Sequence, residues 1–299
     1  MLEIAKYNTF KEIVPLNKGY SGDKKFYIET FENKQLLLRI SDRKEYERRK
    51  TMFDMMKQVA ALHVPMPQPL DFGTCDNGES VYQLITWCEG ETLEVVLPTL
   101  SEKEQYAIGL ESGKILKAIH SIQAPTALDD WFERYTKQND DRVNAFTHTG
   151  VVIENSEALL CYYNENKELL RNRPQCFHHG DWHTENLLLS KEHRISVIDW
   201  ELLDFDNYGD PWEEFNRLNN SPIVPHYHSG QMNGYFDGEP PEAFWQLLAL
   251  YLSVGALMLV SWAYFLQPNE LEYTIQNASK VLSSFNQMNS LVPSWYIQS

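Results

Sequence analysis

The sequence predicts an α+β fold with two lobes, a small N-lobe built on an antiparallel sheet and a larger, mainly helical C-lobe. Short apolar segments typical of strands occupy residues 1–87, around a single helical pattern. Longer segments with helical spacing follow in residues 93–299. Residues 88–92 contain Gly90 between two acidic residues and are predicted as the hinge. We therefore expect a cleft between the lobes, because ligands commonly bind in clefts.

The predicted N-lobe consists of strands and one helix. Residues 24–31 and 35–40 are predicted as neighbouring strands, and the short polar segment between them suits a hairpin turn. Residues 44–62 are predicted as a helix because their apolar side chains recur at helical spacing. The prolines within residues 65–69 favour extended chain, and residues 80–87 form the next predicted strand.

The C-lobe begins with a helix predicted over residues 101–120, where Ser101 and Glu104 have the spacing of a capping box. A further helix is predicted over residues 156–170. The uncharged stretch 243–266 is long enough to span a bilayer. Its flanks are acidic and lack the lysines and arginines of a membrane boundary, so we interpret it as one or two buried helices.

Composition and charge exclude several classes of protein. The chain has 42 acidic and 26 basic side chains, a net charge of −16. A general nucleic-acid binder needs a basic face, so this class is excluded. The four cysteines form no CxxC pair, which argues against a disulfide scaffold and a structural zinc site. Because residues 1–10 lack the apolar core of an export signal, we expect a cytoplasmic protein.

The segments HHGDWHTEN and VIDW carry the chemistry of the chain. Mg²⁺ takes oxygen ligands, usually one or two carboxylates together with substrate phosphates. Asn186 offers an amide oxygen and Asp199 a carboxylate, which leaves Asp181 to accept a proton from a hydroxyl group. One base, one amide ligand and one acidic ligand are the minimal set for transfer of a phosphoryl group from a nucleotide to an alcohol.

The spacing of these residues resembles that of a known family. Asp181 and Asn186 are five residues apart, as in the catalytic loop of kinases, and Asp199 takes the place of the aspartate in the kinase Asp-Phe-Gly motif. With the downstream segment YGDPW, the pattern resembles the aminoglycoside phosphotransferase family, which shares a protein-kinase-like fold with choline and macrolide kinases. The resemblance implies that His179 braces the loop ahead of the base and that Asp210 has a structural role.

The resemblance also implies a nucleotide site in the N-lobe. Arg39 stands where the family commonly has a lysine that binds the α- and β-phosphates, and arginine is likewise always cationic. Its expected partner is a glutamate of the following helix, Glu47, with Glu45 as the alternative. A glycine-containing loop and the hinge complete the expected nucleotide-binding set: Gly19, Ser21, Gly22, Arg39, Glu47, Trp87 and Cys88.

We expect Mg²⁺ as the cofactor, ATP or GTP as the phosphoryl donor, and a small-molecule acceptor that bears an amine. Carboxylates after the catalytic segment would attract such an acceptor. The candidates are Glu201, Asp204, Asp206, Glu213 and Glu214. Alternatively, aromatic side chains form a cage for a quaternary ammonium group, as in choline kinases. The candidates for that cage are Trp131, Phe132, Tyr135, Trp182 and Trp200.

The predicted function is that of a small-molecule kinase in which Asp181 is the catalytic base, acting on an antibiotic or on a metabolite. The alternative is a kinase-like nucleotide-binding or regulatory protein without phosphotransfer, a pseudokinase, which the arginine at position 39 favours. A metal-dependent hydrolase built on His178, His179, Asp181 and His183 is disfavoured, because the spacing does not bring three imidazoles to one ion. The oligomeric state is left open by the sequence.

Overall fold

The computed structural model describes residues 3–4, 6–16, 22–201, 207–220 and 222–298. Its strands, in chain order, are β1 (Phe10–Leu16), β2 (Lys24–Thr30), β3 (Gln35–Asp42), β4 (Pro69–Cys75), β5 (Ser80–Thr86), β6 (Glu91–Thr92), β7 (Cys176–Phe177), β8 (Leu187–Leu189), β9 (Ile195–Val197) and β10 (Tyr208–Gly209). Its α-helices are α1 (Tyr46–Ala61), α2 (Leu93–Val96), α3 (Glu102–Ile119), α4 (Trp131–Thr147), α5 (Glu157–Asn166), α6 (Pro225–Phe236), α7 (Glu242–Leu266) and α8 (Leu271–Ser284).

The chain divides into two units that do not coincide with the predicted lobes. The first comprises Met1–Val96 and Thr184–Asp206, and the second comprises Leu97–His183 and Asn207–Ser299. The prediction put every residue after the hinge into one lobe. The β8–β9 hairpin instead belongs to the first unit, because β8 pairs with β6 in a three-stranded sheet of order β6-β8-β9.

A five-stranded antiparallel sheet of order β1-β2-β3-β5-β4 forms most of the first unit. The predicted hairpin is confirmed, since β2 and β3 pair along their length with Lys24 opposite Ile40. Alternate side chains of β3, namely Leu36, Leu38 and Ile40, are buried in one apolar cluster. This alternation is the pattern expected of a strand that buries one face.

Helix α1 packs against β4 and β5 of the same unit. Its side chains Met52, Phe53, Met56 and Val59 are all buried, which confirms the helical spacing read from the sequence. A short 3₁₀ turn precedes the helix and is capped by Asp42, whose carboxylate accepts the backbone N–H of Lys44 at 2.9 Å. The sheet and this helix therefore hold the end of β3 in a fixed position.

The second unit is mainly helical, with α7 in contact with α4, α5 and α8. The capping box predicted for α3 is present: the Ser101 hydroxyl accepts the backbone N–H of Glu104, and the Glu104 carboxylate accepts that of Ser101. By length and composition alone, α7 is long and apolar enough to cross a membrane. However, 78% of its most apolar 18-residue stretch is buried inside the protein, in agreement with the predicted core helix.

Helices α3 and α6 approach so closely that glycine is required where they meet. A Cβ atom on Gly113 would lie 1.9 Å from the carbonyl oxygen of Gln231, and one on Gly234 would lie 2.1 Å from that of Leu110. Each helix contributes a pair of glycines four residues apart, and we call these four residues the glycine seam: Gly109 and Gly113, Gly230 and Gly234. The seam allows backbone-to-backbone packing that no side chain could permit.

We expect Gly113→Ala to lower the free energy of unfolding by about 1–3 kcal/mol, because the added methyl group forces the two helices apart. Within a helix, alanine is more favourable than glycine by about 1 kcal/mol. A net loss of stability would therefore show that the added methyl group is overpacked. Urea unfolding measures the change. The matched control is Gly22→Ala, where an added Cβ meets nothing within 4 Å. Equal or greater stability of the Gly113 variant would contradict the close approach.

Candidate active site

Arg39 is buried in the middle of β3, and three carboxylates of the first unit lie close to it. Its Nη2 lies 2.7 Å from Oε1 of Glu201 and 3.5 Å from Oδ1 of Asp199, and its Nε lies 3.4 Å from Oδ2 of Asp23. A buried guanidinium is stable only when its charge is compensated in this way. The side chain is thus held in place by acidic groups of the protein itself.

A second buried arginine, Arg49 of α1, shares the same carboxylates. Its Nη2 is 2.5 Å from Oδ2 of Asp23 and its Nη1 is 3.6 Å from Oε1 of Glu201. Its Nε is buried and has no hydrogen-bond partner among the described residues. Burial and the adjacent charge of Arg39 lower the pKa of Arg49. The site therefore contains two guanidinium groups, of which sequence reasoning identified one.

The glutamate partner predicted for Arg39 requires correction. Glu47 is exposed and makes no ion pair with Arg39 in the described part of the chain. The alternative, Glu45, lies 3.4 Å from Arg48 instead. Helix α1 places Arg49 beside β3 where a glutamate was expected, so Asp23 and Glu201 supply the negative charge. A helix position and its partner across the unit cannot be matched from local sequence alone.

The predicted metal ligands lie at the same end of the β8–β9 hairpin. Leu187 pairs with Val197, and the N–H of Ile198 donates to the carbonyl oxygen of Asn186 at 2.9 Å, so Asp199 follows directly. Asp199 has a φ of 60°, a strained backbone conformation for a residue with a side chain, and its carboxylate is 45% exposed. An amide oxygen and a carboxylate are hard donors, so these residues fit a magnesium ion.

The remaining residues predicted to bind the nucleotide belong to the hinge and to the glycine-containing loop. Trp87 follows β5 directly: its N–H donates to the carbonyl oxygen of Gln35 at 3.0 Å, and its ring meets the edge of Tyr27. Cys88 is half-buried and Gly22 is exposed. Four of the predicted site residues lie outside the described residues: Gly19, Ser21, Asp204 and Asp206.

Asp181, the predicted base, lies in the second unit with one third of its side chain exposed. Nε2 of His183 is 3.1 Å from its Oδ2, and Nε of Arg217 is 4.0 Å from its Oδ1. Burial raises the pKa of Asp181, but the hydrogen bond and charge of His183, together with Arg217, outweigh it and lower the pKa overall. The carboxylate is therefore ionised at neutral pH and able to accept a proton.

A buried carboxylate, Glu214, fixes the backbone of the loop ahead of Asp181. It accepts the N–H of His179 at 3.2 Å and that of Gly180, and Nε2 of His120 lies 2.8 Å from its Oε2. Burial alone would raise the pKa of Glu214, yet these histidines lower it to about 2. Arg217 also donates to the carbonyl oxygen of Gly180. Glu214 was expected to attract the acceptor and instead holds the loop backbone, whereas no sequence signal pointed to Arg217.

Asp210 and His179 have contacts that fit the structural roles predicted for them. Asp210 is fully buried, and its carboxylate accepts hydrogen bonds from Arg173, from the hydroxyl of Tyr251 at 2.9 Å and from the N–H of Trp212 at 2.9 Å. Nδ1 of His179 accepts the N–H of Asp181 at 3.3 Å. These bonds fix the backbone next to Asp181 and the segment that precedes Glu214.

The hydrolase alternative, which required several histidines around one ion, finds no support in the described residues. The single group of three candidate metal ligands found there is His120, Cys176 and His178, all buried, and it includes neither Asp181 nor His183. His120 already bonds Tyr235 through Nδ1 at 2.9 Å. We assign this group to the packing around the loop.

Of the carboxylates predicted to attract the acceptor, those in the described part of the chain are Glu201, Glu213 and Glu214, and each contacts side chains of its own unit. Glu201 pairs with the two buried arginines of the first unit. Glu213 lies 3.8 Å from Nδ1 of His178, and burial raises its pKa to about 7. The aromatic cage does not form an open site either, because four of its five members are buried: Trp131, Tyr135, Trp182 and Trp200. The fifth, Phe132, is covered by Arg171.

The low pKa of Glu214 predicts an acid-sensitive fold. Its folded pKa of about 2 lies below its ordinary value of 4.5, so the stability it contributes is present above pH 4.5 and is lost as the pH falls towards 2. We expect Glu214→Gln to lower the free energy of unfolding by about 3 kcal/mol at neutral pH and by much less near pH 3. Guanidinium unfolding at both pH values measures this. The control is Glu165→Gln at an exposed position of α5. A loss that does not change with pH would contradict the assigned charge.

The chain is similar to a known protein family and to several solved structures. The model of the phosphotransferase enzyme family matches residues 12–245. No curated protein sequence matches the chain. Among solved structures, a choline/ethanolamine kinase family protein from Mesorhizobium loti is similar with a TM-score of 0.65 and 14% identity, over 95% of this chain and 92% of that chain.

Two further structures show the same fold. The ADP-bound aminoglycoside phosphotransferase APH(2'')-Ib is similar with a TM-score of 0.62 and 17% identity, over 96% of both chains. Amicoumacin kinase hAmiN, solved with AMP-PNP, Ca²⁺ and Ami, has a TM-score of 0.62 and 11% identity, over 95% of this chain and 90% of that chain. The predicted kinase-like α+β fold is confirmed. Since the family model spans most of the sequence, this chain belongs to the phosphotransferase enzyme family.

Proposed function

We propose that this phosphotransferase is a small-molecule kinase that transfers the terminal phosphoryl group of ATP or GTP to a hydroxyl group of its acceptor, with Mg²⁺ as the cofactor. The state of Asp181 carries the proposal: its carboxylate is ionised, partly exposed and set in a loop whose backbone is fixed by Glu214 and Arg217. A positioned carboxylate of this kind is suited to accept a proton from an alcohol.

In the proposed step, the hydroxyl oxygen of the acceptor forms a bond to the terminal phosphorus while the bond from that phosphorus to the nucleoside diphosphate breaks. The hydroxyl proton passes to Asp181, and the diphosphate leaves. Mg²⁺, when bound, neutralises charge on the donor phosphates, and Asn186 and Asp199 are the residues that would hold it. Because the side chain of Asp181 is already oriented by His183, much of the rate would come from positioning.

Arg39 and Arg49 would bind the phosphates that are not transferred. Both guanidinium groups are fixed and cationic, and arginine binds phosphate oxygens through paired hydrogen bonds. Phosphate would have to compete with Asp23 and Glu201, which hold both arginines in this structure. This competition is the observation that favours the second candidate function, a pseudokinase that binds nucleotide weakly or for regulation.

The acceptor predicted from the sequence is an amine-bearing alcohol. Two structural neighbours are named for such compounds, one for choline or ethanolamine and one for aminoglycosides. A third is named for amicoumacin. These neighbours share under one fifth of their residues with this chain. Their names therefore support a small molecule with a hydroxyl group as the acceptor. The charge of the acceptor depends on the residues of this chain.

Asp181→Asn is expected to reduce phosphoryl transfer by about 10²–10⁴-fold, because the amide cannot take the proton from the acceptor. Release of ADP or GDP is measured with kanamycin, erythromycin, choline and ethanolamine, and the affinity for nucleotide is measured by calorimetry. The nucleotide affinity is expected to stay unchanged. Asp141→Asn, at an exposed position of α4, is the control. Undiminished turnover would remove Asp181 from the mechanism, whereas no release by the wild type with any alcohol would favour the pseudokinase.

Arg39→Gln is expected to weaken ATP binding by about 10–100-fold, since a charge-assisted hydrogen bond contributes about 1.5–3 kcal/mol. Arg39→Lys is expected to lose less, because the positive charge remains while the paired geometry is lost. Calorimetry of the magnesium–ATP complex measures both, and thermal melting checks that the variants are folded. Arg48→Gln, at an exposed neighbouring position, is the control. Equal ATP affinity of wild type and Arg39→Gln would exclude phosphate binding by Arg39.

A further inference from the structure

A cavity of about 560 Å³ opens in the second unit beside the loop of Asp181. Its walls come from α4, from the 3₁₀ helix that carries Glu213–Asn220, and from the C-terminal end of α7. Arg217 belongs to this wall and also contacts Asp181 and the carbonyl oxygen of Gly180. Arg217 therefore lies between one end of the cavity and Asp181, the proposed base. The volume of the cavity suits a small organic molecule.

The cavity wall is apolar and aromatic on the side of α7. Most of this helix is buried, but its last two turns expose large side chains into or around the cavity: Trp262 is 43% exposed, Phe265 55% and Leu266 68%. Single exposed apolar residues are common, whereas a cluster that lines one cavity marks a binding surface. Met258 and Leu259 extend the same surface towards the core.

The charge of the described wall is positive. Arg142 and Arg217 are its charged residues, and no carboxylate lines it in the part of the chain that the structure describes. Arg142 is exposed and has no ion-pair partner among the described residues. Asn219 also lines the wall, and its Oδ1 is buried without a hydrogen-bond partner there. An unpaired guanidinium and an unsatisfied amide oxygen are groups that a polar ligand would complete.

An amine-bearing acceptor does not match this wall. A protonated amine in the cavity would face two guanidinium groups, and like charges repel strongly where water is partly excluded. Of the described carboxylates that were expected to attract it, Glu201 is paired with the buried arginines, and burial raises the pKa of Glu213 to about 7, which weakens its negative charge. A carboxylate on the acceptor would instead pair with Arg142, and a ring system would pack on Trp262 and Phe265.

We propose that the acceptor of this kinase is an alcohol with an apolar, ring-bearing body and a carboxylate group. Arg142 binds the carboxylate, Trp262 and Phe265 cover the ring, and the hydroxyl group extends towards Asp181 past Arg217. This substrate class rests on the proposed function for its phosphorylation step, but the binding of the carboxylate compound does not require phosphoryl transfer.

The test uses three probes that share a naphthalene ring and a hydroxymethyl group and differ only in charge: the carboxylate, its carboxamide and the aminomethyl compound. Their affinities for the full chain are measured by calorimetry without nucleotide. We expect the carboxylate to bind at least about tenfold more tightly than the amine. Kanamycin serves as the polycationic reference, and we expect it to bind more weakly than the carboxylate.

Three variants separate the contribution of charge to probe binding from the contribution of packing. Arg142→Gln is expected to abolish the preference for the carboxylate, and Arg142→Glu is expected to reverse it in favour of the amine. Trp262→Ala is expected to weaken all three probes alike, because it removes packing and leaves the charge unchanged. Arg194→Gln, whose side chain is 77% exposed in the first unit, is the control and is expected to retain the wild-type order.

The outcomes distinguish this inference from the proposed function. Equal or tighter binding of the amine or kanamycin, or no binding of any probe, overturns the substrate class even where the chain phosphorylates another alcohol. Binding of the carboxylate that depends on Arg142 supports the class. If Asp181→Asn retains that binding and the wild type releases no ADP with the probe, the failure concerns the kinase reaction and not the recognition of the acceptor.

Discussion

The geometry of the loop that carries Asp181 depends on one buried carboxylate. Glu214 accepts hydrogen bonds from two successive backbone N–H groups, those of His179 and Gly180, and from the ring of His120. A negative charge with almost no contact with water is stable only while all these donors stay in place. Since Asp181 follows directly, its position is set by the charge of a residue that does not take part in the reaction.

The pattern of the sequence was sufficient for the fold and for the two residues of the candidate site that one hairpin brings together. Short apolar segments on either side of a turn identified β2 and β3, and helical spacing identified α1 and α3, because burial of apolar side chains imposes these patterns directly. Asn186 and Asp199 were linked by motif, and the hairpin register places both at one end of β8–β9. Strands, helices and hairpins of this kind are determined by residues that are close together in the sequence.

Pairings between distant segments were not predictable in the same way. Arg39 finds its partners in Asp23 and Glu201, which lie far apart in the sequence, and Arg49 enters the same network from a helix that otherwise follows an apolar pattern. Nothing local distinguishes a buried arginine from an exposed one. Similarly, Arg217 is recognised as a residue beside Asp181 only once the second unit is folded.

The glycine seam acts as a spacer whose thickness is that of two bare backbones. Gly113 lies two turns before His120, and Gly234 directly precedes Tyr235, so the seam sets the gap that the hydrogen bond between this imidazole and this phenol must close. Widening the seam by one methyl group would tilt the imidazole away from its carboxylate. The orientation of a buried histidine beside Glu214 therefore depends on positions that have no side chain.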